Sequence, residues 1–409
     1  MPVVTPAASD QRGRQDRCPG VLALHEAADG WLARVRVPGG RLSADCLRAL
    51  AAISERFGNG LVDITARANV QLRGLAADAA PALASELAAV GLLPSAAHDR
   101  ARNVLASPLA GRAPGALDAV DDVVALLDAE LSASRLLIEL PGRFCFLVDD
   151  GTGAGRESCP DVTIVARGGG RFGVALDGRA LKFEGTGADA VGLALRAAGS
   201  FVMARGDAWR LSETPGGAGT IAASLGLTLA PGTRVTRSRG FGPGVVEQRD
   251  GRIALVALAP LGQLWPQLLR TLAAVSDDVR LSTRRTVTLV DLEREEVAAT
   301  RDALAAARLV LDAASGWVGL TACAGTAGCP RALADVRSAA ANRARERAAT
   351  DPPEHWAACE RRCGEMPGTP VTVTARDAGD VEVHLDARVS EVPSLDDAAE
   401  LLLARAATR

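Results

Sequence analysis

Four cysteines near the end of the chain have the residue type and spacing of a metal-cluster ligand set. Cys323 and Cys329 are separated by five residues, and Cys359 and Cys363 by three. Four cysteine thiolates are the ligands of a cubane 4Fe-4S cluster. Structural zinc sites usually have tighter C-x2-C to C-x4-C spacings, which the C-x5-C half fits poorly. A third interpretation is that these cysteines are small core residues, but their two close pairs favour the cluster.

The residues around both cysteine pairs bear on that prediction. Pro330 directly follows Cys329 and opens a helical pattern, so a helix is predicted to begin there. The thiolate of Cys329 would then lie at a helix N-terminus, where the helix dipole favours negative charge. Arg361 and Arg362 stand between the second pair of cysteines. They could screen a charged cluster or belong to a solvated turn.

Arginine and amide side chains at several predicted strand ends form a second candidate set. A guanidinium can bind a carboxylate through two parallel hydrogen bonds, so these residues could hold an anionic ligand. For any one of them, a solvated strand face is the simpler interpretation. The set consists of Arg36, Arg67, Asn69, Gln71, Arg73, Arg102 and Arg143.

Composition limits the classes of protein to which this chain can belong. The 409 residues are 48% hydrophobic, and 46 basic residues balance 49 acidic ones. The net charge of -3 gives no reason to expect a nucleic acid partner. The first twenty residues are polar, which argues against a secretion signal, and no apolar run is long enough to span a membrane. We therefore expect the reducing cytoplasm, where clustered cysteines usually bind metals.

The elements that must position these residues occur twice along the chain. Strand, helix, two strands and helix are predicted from Trp31 to Val90, an order close to a ferredoxin-like half-sandwich. The same order returns from Ile253, and its predicted helix spans Leu261 to Val275. Six residues between Leu47 and Ser54 recur identically 222 positions later. The pattern predicts a tandem duplication in which each small sandwich is followed by a larger block.

The larger block of the first repeat contains two glycine-rich segments. Gly151–Gly155 and Gly168–Gly170 do not complete the G-x-G-x-x-G pattern of a dinucleotide site. Both are predicted to be hairpin turns.

Together these motifs resemble the nitrite and sulfite reductase family across nearly the whole chain. The resemblance is carried by RVRVPGG, TARANVQLRG, RNVLASP, LPGRF and the two cysteine pairs. It implies an α+β fold with two ferredoxin-like half-domains and two larger α+β domains, related by a pseudo-twofold axis. The implied segments are a disordered start (1–20), first half-domain (21–95), first large domain (96–240), second half-domain (241–312) and cluster-binding domain (313–409).

The same resemblance implies a set of ligands and a reaction. The four paired cysteines would hold a 4Fe-4S cluster, and the arginines would face a tetrapyrrole. Two departures from the family's motifs distinguish among its members. The family's L-P-R-K-x-K segment has Arg143 and Cys145 at its two lysines, and its C-P-N-G-C motif is CERRC here. The absence of the second lysine weakens the interpretation of the chain as a sulfite or nitrite reductase, because binding those anions needs dense positive charge.

The sequence is therefore most similar to the oxygen-dependent branch of the family. There the tetrapyrrole precorrin-3A is the substrate, dioxygen is the oxidant and an external donor supplies electrons. That branch also implies a mononuclear non-haem iron, but its usual ligands are hard to assemble from His25, His98, His355 and His384. The alternative is a siroheme-dependent reductase of sulfite or nitrite.

Overall fold

The computed structural model describes residues 18–234, 240–376, 379–385 and 388–406. Residues 1–17 of the segment predicted to be disordered lie outside the described residues. The chain divides into two units. The first contains the described residues of Met1–His25, Ala33–Arg41 and Ala80–Gly240, and the second those of Glu26–Leu32, Leu42–Ala79 and Phe241–Arg409.

The helices and strands follow the predicted alternation in both halves of the chain. The first half contains β1 (His25–Ala27), β2 (Gly30–Val35), β3 (Arg41–Leu42), α1 (Ala44–Phe57), β4 (Val62–Ile64), β5 (Val70–Leu75), α2 (Ala80–Ala89), β6 (Val104–Ala106), α3 (Asp121–Ala133), β7 (Phe146–Asp149), β8 (Val162–Gly168), β9 (Arg171–Leu176), β10 (Arg179–Leu181), α4 (Gly187–Ala204), α5 (Gly217–Ser224) and β11 (Leu229–Arg234). The second half contains β12 (Gly244–Glu247), β13 (Ile253–Leu258), β14 (Gln263–Leu264), α6 (Pro266–Val275), β15 (Val279–Leu281), β16 (Thr286–Leu292), α7 (Val297–Ala306), β17 (Leu320–Ala322), α8 (Val336–Glu346), β18 (Glu354–Ala357), β19 (Val371–Ala375), β20 (Val381–Leu385), β21 (Arg388–Val392) and α9 (Leu395–Ala406).

The two small sandwiches exchange a short strand. Their sheets have the orders β1-β2-β5-β4-β14 and β12-β13-β16-β15-β3. Gln263 of β14 pairs with Asp63 of β4, so each sheet ends on a strand from the other repeat. Helices α1 and α6 pack against each other, and the Arg48 guanidinium donates to the Ala273 carbonyl at 3.3 Å. These contacts join both repeats within the second unit.

Element bounds confirm the duplication. Strands β3 and β14 begin at Arg41 and Gln263, which is an offset of 263 − 41 = 222. After the predicted five-residue gap, β4 and β15 begin at Val62 and Val279, which is an offset of 279 − 62 = 217. Helices α2 and α7 keep the second offset.

The larger blocks share one topology, which extends the duplication beyond the small sandwiches. In the first unit, β6, β7 and β8 are parallel neighbours, and β9, β10 and β11 continue the sheet in antiparallel fashion. In the second unit, β17, β18 and β19 are parallel, and β20 and β21 continue antiparallel. The core of the first unit packs α4 on β8 and β9, with the Phe144 and Phe201 ring centroids 4.8 Å apart.

Local capping explains which helix boundaries the sequence predicts well. Ser43 caps α1 as expected, because its side chain accepts a hydrogen bond from the Cys46 amide at 3.2 Å.

The helix predicted from Leu261 begins at Pro266 instead. Leu261 has a φ of 54° within a short 3-10 turn, and residues 263–264 form β14. The extended strand that joins the other repeat's sheet therefore delays the helix by five residues.

The two glycine-rich segments behave differently. Gly168–Gly170 joins the antiparallel strands β8 and β9 and is a hairpin, as predicted. Gly151–Gly155 lies between the parallel strands β7 and β8, so the hairpin prediction is wrong there. Its loop is fixed by the Asp149 carboxylate, which accepts from the Gly151 and Gly153 amides at 2.9 and 3.0 Å.

Within the described residues, none of the helices has the length and apolar character needed to cross a membrane.

Candidate metal centre

The cysteines of the second unit emerge where two neighbouring parallel strands end. Cys323 directly follows β17, and Cys359 lies two residues after β18. Ala322 and Trp356 are in register, and the Cys323 amide donates to the Trp356 carbonyl at 3.0 Å. Because parallel strands present their carboxyl ends at one edge of a sheet, both cysteines lie at that edge.

The loop that carries Cys329 folds back onto the end of β18. The Cys329 amide donates to the Gly325 carbonyl at 3.0 Å, where Gly325 has a φ of 64° that favours glycine. The Leu333 amide then donates to the Ala358 carbonyl at 2.9 Å. The Ala358 amide in turn donates to the Cys323 sulfur at 3.2 Å. The backbone thereby brings the first cysteine pair beside Cys359.

The predicted helix at Pro330 is wrong. Helix α8 begins at Val336, and the Asp335 carboxylate caps it by accepting from the Ser338 amide at 3.2 Å. Residues 330–335 form turns instead, because the segment is tied to the end of β18. Cys329 is therefore not at a helix N-terminus, and hydrogen bonds to the loop backbone fix its position.

Cys363 is close enough to the other three thiols for their charges to act on it. Burial raises the pKa of Cys363, and the charges of Cys323, Cys359 and Cys329 raise it further. Within the described ranges, no three or more His, Cys, Asp or Glu side chains are arranged to hold one metal ion. In a cubane each thiolate binds a different iron, so the four sulfurs surround an inorganic core rather than a single ion.

Two buried polar atoms beside the cysteine loops test whether an anionic cluster fits. Arg285 is 6% exposed, and its Nη1 has no hydrogen-bond partner, while Nη2 donates to the Gly364 carbonyl at 3.4 Å. His355 is 0% exposed, and its Nε2 also lacks a partner. Buried polar groups are normally paired, so the Arg285 Nη1 donor suits an anionic group that belongs next to Cys363. The residues present thus fit a bound cluster.

His355 is neutral in this setting. Burial first, and then the charges of Arg285 and Arg362, lower the pKa of His355 to about 3. Its Nδ1 lies 2.9 Å from the Thr321 hydroxyl, which also donates to the Glu354 carbonyl at 3.2 Å. With Thr321 donating to that carbonyl, Nδ1 is the protonated nitrogen and Nε2 is an acceptor. His355 therefore adds no charge to the centre.

This histidine predicts a pH dependence of stability. Its folded pKa, about 3, lies below the ordinary value of 6.5, so acidification protonates the unfolded chain first. The free energy of unfolding should fall by about 1.4 kcal/mol per pH unit below about pH 6 from this group alone. Denaturation of wild type and His355→Gln between pH 7 and 5 checks this. An equally steep loss in the variant would contradict the assignment.

Not all of the predicted anion-binding residues of the second unit are available to bind an anionic ligand. The Arg73 guanidinium binds the Asp29 carboxylate through two hydrogen bonds of 3.0 and 2.9 Å, and it also donates to the Gly328 carbonyl. Arg73 therefore fixes the cysteine loop and is already ion-paired. Arg67 is half-buried in the turn before β5, where Asn69 is buried, and Gln71 is half-buried on β5 itself.

The first unit brings two of its predicted residues into internal contacts as well. Arg36 is 2% exposed and donates to the Asn103 side chain at 3.3 Å and the Gly142 carbonyl at 3.0 Å. Arg102 forms two hydrogen bonds of 2.8 and 2.7 Å with the Asp128 carboxylate. Arg143 is exposed, and its guanidinium lies 4.6 Å from the Trp209 ring centroid.

The sequence prediction missed the carboxylates and the buried arginine. Asp29 and Asp128 neutralise Arg73 and Arg102 from 44 and 26 residues away, a separation that no local pattern marks. Arg285 was overlooked because it follows Arg284 in an ordinary turn sequence. A comparison of the two repeats could have found it, since the first repeat has Ala68 at that position.

Comparison with known proteins agrees with this architecture. Residues 25–90 match the nitrite/sulfite reductase ferredoxin-like half domain. The solved structure of the Mycobacterium tuberculosis NirA protein superposes with a TM-score of 0.74 at 18% identity, covering 90% of this chain and 79% of that one.

Curated relatives are similar over shorter segments. A precorrin-3B synthase from a Sinorhizobium species is 31% identical over 230 residues, which are 56% of this chain and 41% of that protein. A ferredoxin–nitrite reductase from Synechococcus elongatus is 37% identical over 150 residues, covering 36% of this chain and 25% of that enzyme. The matched segments thus span less than half of each of these two relatives. Residues 25–90 thus match a family domain, and the predicted resemblance of the chain to the nitrite/sulfite reductase family, with its duplicated α+β fold, is confirmed.

Proposed function

We propose that this protein is an oxygen-dependent monooxygenase that converts precorrin-3A to precorrin-3B. One atom of dioxygen becomes the hydroxyl at C20 while the ring A acetate closes to a γ-lactone, and the other atom leaves as water. Two electrons from an external donor and two protons balance the reaction. The observation that carries the proposal is that Cys323 and Cys359 follow neighbouring parallel strands while the charges of Cys323, Cys359 and Cys329 act on Cys363, in a chain similar to a precorrin-3B synthase.

The proposed cofactor is a 4Fe-4S cluster on Cys323, Cys329, Cys359 and Cys363. When bound, such a cluster supplies single-electron transfer. The chain's own part is to fix the thiolates. The ends of β17 and β18 hold Cys323 and Cys359 side by side, and hydrogen bonds of the loop backbone place the other two. A one-electron protein donor of the ferredoxin type suits this arrangement.

Guanidinium and amide groups are proposed to orient the substrate. A tetrapyrrole with several carboxylates can be fixed by paired, charge-assisted hydrogen bonds, which hold the reacting carbon in position. Arg67 and Arg143 are proposed to supply the charge, with Gln71 as a neutral partner. Arg36 and Asn69 are buried, so their proposed role is to support the residues that contact the substrate. Arg73 and Arg102 are matched by Asp29 and Asp128, so their proposed role is to shape the binding residues around them.

Two residues favour this reaction over reduction of sulfite or nitrite. Cys145 stands where the resemblance implies the second lysine, and it is 0% exposed. Arg143, at the first lysine, stacks on Trp209. Neither residue supplies the dense pair of cations that small oxyanions need. The second candidate, a siroheme-dependent reductase, is supported by the nitrite reductase relative.

Cofactor content and catalysis separate these proposals. We expect anaerobically purified protein to contain about four iron and four sulfide per chain and no extractable siroheme. It should convert precorrin-3A when reductant and oxygen are supplied. Bound siroheme together with sulfite or nitrite reduction would establish the second candidate instead. An intact cluster with an unchanged tetrapyrrole would point to a non-catalytic electron carrier.

A further inference from the structure

Three arginines donate hydrogen bonds to the backbone of the cysteine segments in the second unit. Arg337 donates to the carbonyl of Cys323 at 3.2 Å. Arg73 donates to the carbonyl of Gly328, immediately before Cys329. Arg285 donates to the carbonyl of Gly364, immediately after Cys363. One cation therefore lies beside each of three cysteines.

Their charges are compensated to different degrees. Arg73 is ion-paired with Asp29 at 2.9 Å, and Arg337 with Asp63 at 3.2 Å. Among the residues that the structure describes, no carboxylate lies within ion-pair distance of Arg285. Burial lowers the pKa of Arg285 to about 10, which leaves it charged at neutral pH. Arg285 is thus a buried cation that no described carboxylate contacts, and the charge of Asp63, which is ion-paired with Arg337, acts on it only from a greater distance.

The turn that contains Arg285 does not require an arginine. Ala68 occupies the equivalent turn of the first repeat with a φ of 53°, against 60° for Arg285. Holding a non-glycine residue in this left-handed region is unfavourable, and burying a charge without a counter-ion is more unfavourable still. An arginine in such a place needs an anion beside it. Four thiolates around a cubane form an anionic group, whose negative charge grows by one when it accepts an electron.

We propose that Arg285 is a positioning residue that sets its cation against the Cys363 side of the cluster and raises the cluster's reduction potential. This inference rests on the proposed cofactor. The cation stabilises the reduced state more than the oxidised one, because the reduced state carries one more negative charge. Its low exposure strengthens the effect, since water does not screen the charge.

The test is a redox titration of purified wild type, Arg285→Gln, Arg285→Met and Arg285→Lys with a one-electron reductant, with iron and sulfide counted in each. We expect both neutral variants to hold a full cluster whose midpoint potential is shifted downward, and the lysine variant to regain most of the wild-type potential. Arg270→Gln is the matched control, because that arginine is exposed and paired with Glu55, and its potential should not move.

Every outcome decides the inference. A full cluster with an unshifted potential in Arg285→Gln or Arg285→Met overturns it. If both neutral variants lose the cluster and the lysine variant keeps it, the cation is needed to bind the anionic group, which supports the inference. Loss of the cluster in the lysine variant as well would mean that the shape of the side chain matters rather than its charge. That result would overturn the inference. A wild-type chain without iron overturns the proposed cofactor together with the inference, whereas an unshifted variant with a full cluster overturns the inference alone.

Discussion

Cys359→Ser is expected to purify without its iron-sulfur cluster. Cys359 lies two residues beyond β18, and the Arg362 amide donates to its carbonyl at 3.2 Å, so the backbone places its sulfur at the sheet edge. A serine hydroxyl is a harder and far less acidic ligand than a thiol, and iron-sulfur clusters select soft thiolates. Iron and sulfide should fall from about four each per chain to nearly zero, and the visible cluster absorption should disappear.

A second cysteine provides the control for that substitution. Cys46 lies in α1, is half-buried and is not among the paired cysteines. Cys46→Ser should keep the wild-type iron and sulfide content. Full retention of both in Cys359→Ser would remove Cys359 from the ligand set.

Glu354→Gln is expected to be the most destabilising single substitution near the metal centre. Glu354 is 2% exposed and accepts hydrogen bonds from Arg343 at 2.9 Å, Arg347 at 3.2 Å and the Trp356 indole at 3.1 Å. Removing its charge leaves the buried Arg347 without its carboxylate contact and Arg343 with only the longer ion pair to Asp351, at 3.5 Å. Breaking a buried pair in this way costs about 3–5 kcal/mol. The free energy of unfolding, from anaerobic denaturation, measures the loss.

The buried ion pairs of Glu354 also link the stability of the protein to the position of the cysteines. Arg347 donates to the Gly316 carbonyl at 2.7 Å, before β17, and to the Pro352 carbonyl at 3.0 Å, before β18. Glu354→Gln should therefore also lower the iron content, because both cysteine-bearing strands lose a common anchor. Glu55→Gln is the control, since its pair with Arg270 is exposed and solvent weakens such pairs. A variant at Glu354 as stable as the control would show that the buried charges are compensated elsewhere.

The elements that the sequence predicted well have strong local signals. Ser43 before an amphipathic run predicts the start of α1, and the recurrence of identical residues 222 positions later predicts the second sandwich. Both depend on neighbouring residues or on direct comparison within the chain. The common site that the cysteine spacing predicts stays a prediction, in a structure where the charges of Cys323, Cys359 and Cys329 act on Cys363.

What the sequence did not predict depends on contacts between distant residues. The start of α6 is delayed because β14 joins the sheet of the other repeat, and Pro330 does not begin a helix because its loop is tied to Ala358. The partners of Arg73 and Arg102 are carboxylates from separate elements. A count of arginines therefore overstated the charge available to a ligand.

The reaction itself is tested most directly by the origin of the oxygen in the product. Wild-type protein, reductant and precorrin-3A are combined under dioxygen labelled with heavy oxygen, and the tetrapyrrole is analysed by mass spectrometry. We predict a product that has gained one labelled oxygen atom, with the label in the C20 hydroxyl. An unchanged tetrapyrrole from protein with a complete cluster, or a product whose new oxygen comes from water, would contradict the proposed monooxygenase.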